Sequence, residues 1–246
     1  MGGRTGSTPA ETRPAPRLRL ARPVEERRVT DDRVSVLIPV RNGDRFLAAS
    51  IESALRQSPP PFEVVVVDDG SCDATPDVAQ AFDSRVRYVA QPPLGVSTAL
   101  NRGVGLARGD LLAFLDADDV WTDDKLERQL AELRARPQVD AVFGHLVNVD
   151  DGGGPREAFA GWSRGTMLIR RDAFARVGAF TDWQLGEFVE WYARAVDRGL
   201  VLLMLPDVLL LRRVHDANTG VTLRHERLEY ARVLKAILDR RRAERS

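Results

Sequence analysis

The segment LLAFLDADDVW, Leu111 to Trp121, places three carboxylates, Asp116, Asp118 and Asp119, directly behind an apolar run. Two acids at i, i+2 past a strand end can direct oxygens at one hard divalent cation, and a nucleotide diphosphate can complete its shell. Carboxylates this close repel one another in a half-buried site, and a bound metal removes that cost. Asp also caps helices well, so the same residues could open a helix near Asp123. The motif alone leaves both readings open. A second stretch, VVVVDDGSCDAT from Val64 to Thr75, also ends a strand-like run in paired acids, Asp68 and Asp69, followed by Gly70. Glycine lets a backbone approach a ligand, and Asp can accept hydrogen bonds from a base imide or a ribose hydroxyl. Ser71 and Asp73 suit a turn and a helix cap. Two acid-tipped strands are poorly explained by capping twice.

These acids need a scaffold that holds them together. VSVLIPV, FEVVVVDD, RVRYVA and LLAFLD are short Val-, Ile- and Leu-rich runs, with helical patterns between them at Arg45–Gln57, Pro76–Phe82 and Val96–Arg108. Near-continuous apolar strands separated by helices predict an α/β fold with a mostly parallel sheet covered on both faces. Ligands of such sheets bind beyond the carboxyl ends of the strands. That directs attention to Asn42 after the first run, Asp68 and Asp69 after the second, and Asp116 to Asp119 after the fourth. Further on, the pattern predicts a helix over Asp123–Arg136, a strand in VDAVFGHLVNV and a loop at DDGGGP. It then predicts a strand and short helix in RGTMLIRRDAFARVGAF, and a helix in GEFVEWYARAVDRG that ends at a glycine. LVLLMLPDVLLLRR reads as a strand pair, or as one strand broken at Pro206, and Leu223–Arg242 as a closing basic helix. The expected organisation is a flexible Arg- and Pro-rich tail over 1–32, one α/β domain over 33–222, and a C-terminal basic helix within 223–246 that packs on the domain or extends from it.

Composition narrows the function classes. Lys plus Arg and Asp plus Glu number 36 each, so no global field favours nucleic acid as a partner. Cys72 is the single cysteine, which excludes an intramolecular disulfide and multi-thiolate zinc sites. The longest apolar run is interrupted by Pro206 and Asp207, so no transmembrane segment is expected, and a cytoplasmic location follows as the default. A solvated tail is the favoured reading of residues 1–32, with peripheral membrane contact left open.

Four ordered stretches, VSVLIPVRNGDRFLAASIESALRQS, FEVVVVDDGSCDAT, GVSTALNRGVGLARGDLLAFLDADD and GTMLIRRDAFARVGAF, resemble the family 2 glycosyltransferases of the GT-A fold, over about Val34 to Asn218. The resemblance implies transfer of a sugar from a nucleotide-diphosphate sugar (UDP-, GDP- or dTDP-linked) to an acceptor hydroxyl. It also implies inversion at the anomeric carbon and Mn2+ or Mg2+ at the D-x-D motif. Pro39, Val40 and Asn42 match the first nucleotide-contacting loop, and Asp68 or Asp69 the acid that reads the base. Asn101 with Gly103 matches the N-x-G segment facing the nucleotide, although Leu100 stands where a basic residue is frequent. Asp116 would face the ribose or metal and Asp118 would bind metal, with Ala117 between them against the donor. RRVHDANTG resembles an H-x-x-N segment, which makes His215 a further metal ligand. Members of the family often carry Glu-Asp at a helix start, the Asp serving as general base; here Glu187 matches the Glu but Phe188 takes the place of the Asp. Glu187 and Glu190, one helical turn apart on one face, become the candidate bases. Trp183, Trp191 and Tyr192 could stack on an acceptor or fill the core. The acceptor class, whether saccharide, lipid-linked, peptide or small molecule, stays open. The rival activities are a nucleotidyltransferase, for which PVRNGDRF lacks the Gly- and Lys-rich loop, and a non-catalytic nucleotide-sugar-binding module.

Overall fold

The computed structural model describes residues 32–150, 158–183, 185–215 and 227–243. Its sheet begins with parallel strands β1 (Val34–Val40), β2 (Glu63–Asp68), β3 (Val86–Ala90) and β4 (Leu111–Phe114) in the order β3-β2-β1-β4. Helices α1 (Leu47–Leu55), α2 (Thr75–Gln80) and α3 (Val96–Leu106) connect them. Every residue of β2 is buried, as a β-branched run between two strands and two helical layers requires. Alternation along the strands feeds two separate cores. Val36, Ile38, Val64 and Val66 pack with Leu47 and Ile51 of α1, whereas Leu37, Val65 and Val67 pack with Ala99 and Leu100 of α3.

Beyond β4 come β5 (Val120–Trp121), α4 (Lys125–Ala135), β6 (Ala141–Asp150) and β7 (Phe159–Gly161), then a 3-10 turn at Arg164–Thr166. These are followed by β8 (Leu168–Arg170), α5 (Arg171–Val177), α6 (Glu187–Asp197), β9 (Leu202–Val214) and α7 (Arg227–Ala243). The sheet continues β4-β8-β6-β9-β5, with β7 on β6. The joins β4·β8, β6·β8, β6·β7 and β5·β9 are antiparallel, and β6·β9 is parallel. The stretch around Pro206 is one strand rather than a pair. Its register against β6 runs from Phe143 opposite Met204 to His145 opposite Val208, so an irregularity takes up Leu205, Pro206 and Asp207 without ending the ladder.

Two details lie beyond the sequence-based expectations. The two-residue strand β5, too short to leave a periodic signal, separates Asp116–Asp119 from α4, which starts at Lys125 with no side-chain cap bond. The three acids therefore do not cap that helix. Lys125 is fully buried, its ammonium 2.6 Å from Gln129 Oε1 and 4.1 Å above the Trp121 ring, and burial pushes its pKa well down. The closing helix is described from Arg227 onward; Leu223 to Glu226 lie outside the described residues, as do the tail before Asp32 and the segment 151–157. Helix α7 rests on α6, burying Val233 and Ile237 against Ala193.

At the opposite end of the sheet from the acids, Glu63 is buried and takes hydrogen bonds from Ser35 Oγ (2.7 Å), the Arg108 main-chain N–H (2.6 Å) and Arg108 Nε (3.0 Å). Burial alone would raise its pKa, but these donors outweigh burial and hold it below the usual 4.5. A depressed folded pKa contributes stability above the unfolded value that is lost as pH falls through the folded one. Thermal unfolding followed from neutral pH to about pH 3 should show wild-type stability falling below 4.5. Glu63→Gln should start less stable at neutral pH and lose less on acidification.

Candidate active site

Four loops meet at the carboxyl edge of β1 to β4, and their own hydrogen bonds fix them. Asn42 adopts φ 51°, a left-handed conformation that Asn tolerates. Its N–H donates to Ser71 Oγ (2.9 Å), and its Oδ1 accepts from the Cys72 N–H (2.9 Å). Asp68 accepts from the Ser71 N–H (2.8 Å) and Tyr88 OH (2.7 Å). Asp69 accepts from the N–H groups of Leu94 and Gly95 (both 2.8 Å) and from Gln91 Nε2 (2.7 Å). Gly70, at φ +77°, lies where a Cβ would meet Pro93 Cδ at 2.8 Å, so these two loops approach as only glycine permits. Both Asp68 and Asp69 are buried and tied to the protein, which makes them braces of these loops. The N–H of Asp69 in turn donates to the Val40 carbonyl (2.8 Å), and Pro39, next to Val40, is half-buried.

The turn Asp116–Asp119 is held from both sides. Ser50 Oγ of α1 donates to the carbonyls of Ala117 (2.8 Å) and Asp119 (2.7 Å). On the other side the turn continues the antiparallel β5·β9 ladder. Trp121 pairs with Leu210 and Val120 with Leu211, Asp119 Oδ1 accepts from the Arg213 N–H (3.0 Å), and Asp118 Oδ2 lies 3.1 Å from His215 Nε2. The His215 ring packs on Phe46 with centroids 4.7 Å apart, and the Arg45 and Arg213 guanidinium groups lie against the same Phe46 ring. Burial, then the charge of Asp116, raises the Asp118 pKa despite His215. Burial and the charges of Asp116 and Asp118 push that of Asp119 well up. The cluster therefore holds more negative charge than its surroundings favour, the condition a cation relieves.

One cation already stands there. Arg164, from the 3-10 turn, donates to Asp116 Oδ1 through Nη2 (2.5 Å) and Nε (3.0 Å), and through Nη1 to Glu187 Oε1. Burial alone would lower the guanidinium pKa, but Asp116 and Glu187 more than offset it and raise it. A single guanidinium thus joins the D-x-D acid to the first residue of α6. The other Glu187 oxygen, Oε2, takes no hydrogen bond from the described residues.

Not every residue expected at the site reaches it. Glu190 is buried among Thr181 Oγ1 (2.9 Å), Arg194 Nε (2.9 Å) and Arg240 Nη1 (2.7 Å), a network that ties α6 to α7 and leaves Glu187 as the carboxylate at the cleft. The Asn101 amide is spent on one residue: Nδ2 donates to the Phe180 carbonyl (2.8 Å) and Oδ1 accepts from the Phe180 N–H (2.9 Å). Gly103 lies over Leu37 and Val67, at ordinary contact distance for a Cβ, and so faces the sheet. Phe188 points into the aromatic core, its ring centroid 6.0 Å from Trp191 and 6.3 Å from Phe143, a place where Asp would be buried without a partner. Trp191 is wholly buried, and Tyr192 is half-buried against Trp162. The basic residue three positions before Met167 was the one signal in the sequence for Arg164, and nothing in the spacing linked it to Asp116.

Residues 35–181 match the family model described as Glycosyl transferase family 2. The chain belongs to glycosyl transferase family 2. The putative teichuronic acid biosynthesis glycosyltransferase TuaG of Bacillus subtilis (strain 168) is 36% identical over 123 residues, 48% of this chain and 49% of its own. Glycosyltransferase GlyG of Streptococcus pneumoniae serotype 4 is 30% identical over 125 residues, 49% of this chain and 41% of its own. The chain thus aligns with about half or less of the length of these curated relatives. Among solved structures, S. aureus TarS 1-349 in complex with UDP superposes with a TM-score of 0.66 at 20% identity, over 75% of this chain and 61% of that one. Its complex with UDP-GlcNAc gives 0.66 at 18% identity, over 76% and 60%. These likenesses show the GT-A fold for this family 2 member.

The geometry of Asn101 makes it a clamp between α3 and the segment before α6. Asn101→Ala should lower stability by about 2 kcal/mol, the sum of two lost hydrogen bonds, while nucleotide affinity of the folded protein stays within about 2-fold. Thermal unfolding and calorimetry with UDP check the two halves; a large affinity loss in a folded, undestabilised variant would place Asn101 against the nucleotide instead.

Proposed function

We propose that the chain is an inverting glycosyltransferase that moves a sugar from a nucleoside-diphosphate sugar to an acceptor hydroxyl. The observation that carries this is the convergence of Asp116, Asp118 and His215 at the carboxyl edge of the sheet, one guanidinium away from Glu187. The UDP and UDP-GlcNAc complexes of TarS support a uridine nucleotide as the first donor to test.

The residues suit a divalent cation. Among the described residues these side chains do not form a ready-made group of three metal ligands, and Arg164 holds Asp116. Asp118 and His215 do face each other, and burial, then the charge of Asp116, raises the Asp118 pKa, a penalty that a cation beside it would relieve. Asp118 and His215, with Asp116 once Arg164 lets go, would hold Mn2+ or Mg2+, which supplies charge to offset the departing diphosphate. Glu187 accepts the acceptor's proton on its Oε2 as the acceptor oxygen bonds to the anomeric carbon. The bond from that carbon to the diphosphate breaks on the opposite side, and its electron pair leaves with the phosphate oxygen. One displacement inverts the configuration. Released from Asp116, Arg164 remains a cation beside the leaving phosphates and keeps Glu187 oriented.

Two variants separate donor binding from proton transfer. Asp118→Asn is expected to abolish manganese-dependent UDP binding in calorimetry while the protein stays folded; unchanged affinity would remove the metal assignment. Glu187→Gln should lower sugar transfer, or UDP release to water, by about 100- to 10,000-fold with UDP affinity nearly intact. Wild-type turnover in that variant would assign the base to another acid such as Asp182, whereas donor binding with no transfer or hydrolysis by the wild-type protein would leave the chain as a nucleotide-sugar-binding module.

A further inference from the structure

The short turn that carries Arg164 is anchored through its main chain. Trp121 Nε1 donates to the Gly165 carbonyl (2.9 Å), Gln129 Nε2 to the Thr166 carbonyl (2.7 Å), and Thr166 Oγ1 back to the Ser163 carbonyl (3.0 Å). A Cβ on Gly165 would meet Leu210 Cδ2 at 2.9 Å, so β9 closes over the same turn. Buried Lys125 completes the bracket, with Nζ 2.6 Å from Gln129 Oε1 and 4.1 Å from the Trp121 ring centroid. Trp121 stands two residues after Asp119, so one segment fixes both the acidic turn and the turn that faces it. What these anchors leave unfixed is the Arg164 side chain. It is only 18% exposed and divides its donors between two acids, Nε and Nη2 on Asp116 Oδ1 and Nη1 on Glu187 Oε1.

We propose that Arg164 is a built-in competitor of the divalent cation, which makes metal and nucleoside diphosphate bind as a pair. This role rests on the metal site proposed above and adds its regulation. The guanidinium offsets on Asp116 the negative charge that would draw a metal in. A dication on that carboxylate stands against a like charge that the fixed turn keeps close. Without nucleotide, an Arg164 parted from Asp116 keeps Glu187 alone, and its burial denies it the water that would replace the lost partner. A diphosphate reverses the balance, because phosphate oxygens accept from a guanidinium fork as a carboxylate does. Each ligand then removes a penalty that the other meets alone, and the coupling is reciprocal. Metal and diphosphate also attract each other directly; the share that belongs to Arg164 is the share its substitution removes.

The test is Mn2+ binding to the full chain, read by electron paramagnetic resonance without nucleotide and with saturating UDP. Arg164→Gln and Arg164→Met remove the charge, the first leaving a donor for Asp116, whereas Arg164→Lys keeps it. Both neutral variants should bind Mn2+ alone at least about 10-fold more tightly than the wild type, and UDP should enhance that binding by correspondingly less. Arg164→Lys should stay near the wild type, a split by charge that a merely structural role would not produce. Mn2+ alone should also raise the unfolding temperature of the neutral variants more than that of the wild type, since a ligand of the native state stabilises it by mass action. Asp118→Asn added to Arg164→Gln should remove the gained affinity; a gain that survives places the cation elsewhere and overturns the proposal. Unchanged or weaker Mn2+ binding in the neutral variants, beside Mn2+-dependent UDP binding in the wild type, overturns the competitor role and leaves the metal assignment standing. Absence of Mn2+ binding in every protein, with UDP and without, overturns both.

Discussion

Crowded negative charge at one end of a sheet is the constraint on which this structure turns. Asp116, Asp118 and Asp119 crowd one turn, with Glu187 across Arg164 from Asp116, and burial together with the charges of Asp116 and Asp118 penalises ionisation of their neighbours Asp118 and Asp119. The protein answers with four separate devices. Arg164 spans two of the acids, His215 faces a third, the Arg213 N–H holds Asp119, and Ser50 fixes the carbonyls of the turn from beneath. None of these partners is near the acids in sequence, so the cleft exists only when α1, the 3-10 turn, α6 and β9 are all in place.

The loops that follow β1 and β2 obey a different logic. Asp68 and Asp69 carry charge at strand ends as well, but there the backbone N–H groups of Ser71, Leu94 and Gly95, with Tyr88 OH and Gln91 Nε2, satisfy it. Acids held by several neutral donors are fixed in place. The charge of Asp116 is instead met by one side chain, Arg164, that Glu187 shares. Two acid-tipped strands that look alike in the sequence thus take different tasks, and the difference lies wholly in what surrounds them.

Much of the parallel half was legible in the sequence because its signals are local. Val64 to Val67 could only be a central strand, and the D-x-D acids follow their strand directly. What stayed hidden depends on distant partners. The two residues of β5 carry no period of their own and become a strand only through Leu210 and Leu211. Glu187 and Glu190 are equivalent by helical spacing; Arg240, 50 residues further along, claims one of them, and Arg164, 23 residues earlier, claims the other. Phe188 departs from its family's pattern in sequence yet fits its surroundings, since the position opens onto Phe143 and Trp191. Periodicity over Asp123–Arg136 does not reveal that Trp121 and Gln129 enclose Lys125.

Strand β9 reaches from Leu202 beside the start of β6 to Val214 at the cleft, with His215 immediately after it. The irregularity at Leu205 to Asp207 sits between those ends and sets how many residues the strand spends before it arrives. Side chains alternate along a strand, so a gain or loss of one residue there would turn His215 to the opposite side of the sheet and withdraw the Arg213 N–H from Asp119. A proline kink far from any reacting atom thus works as a spacer: the length of chain it stores decides whether an imidazole or its neighbour presents itself to Asp118.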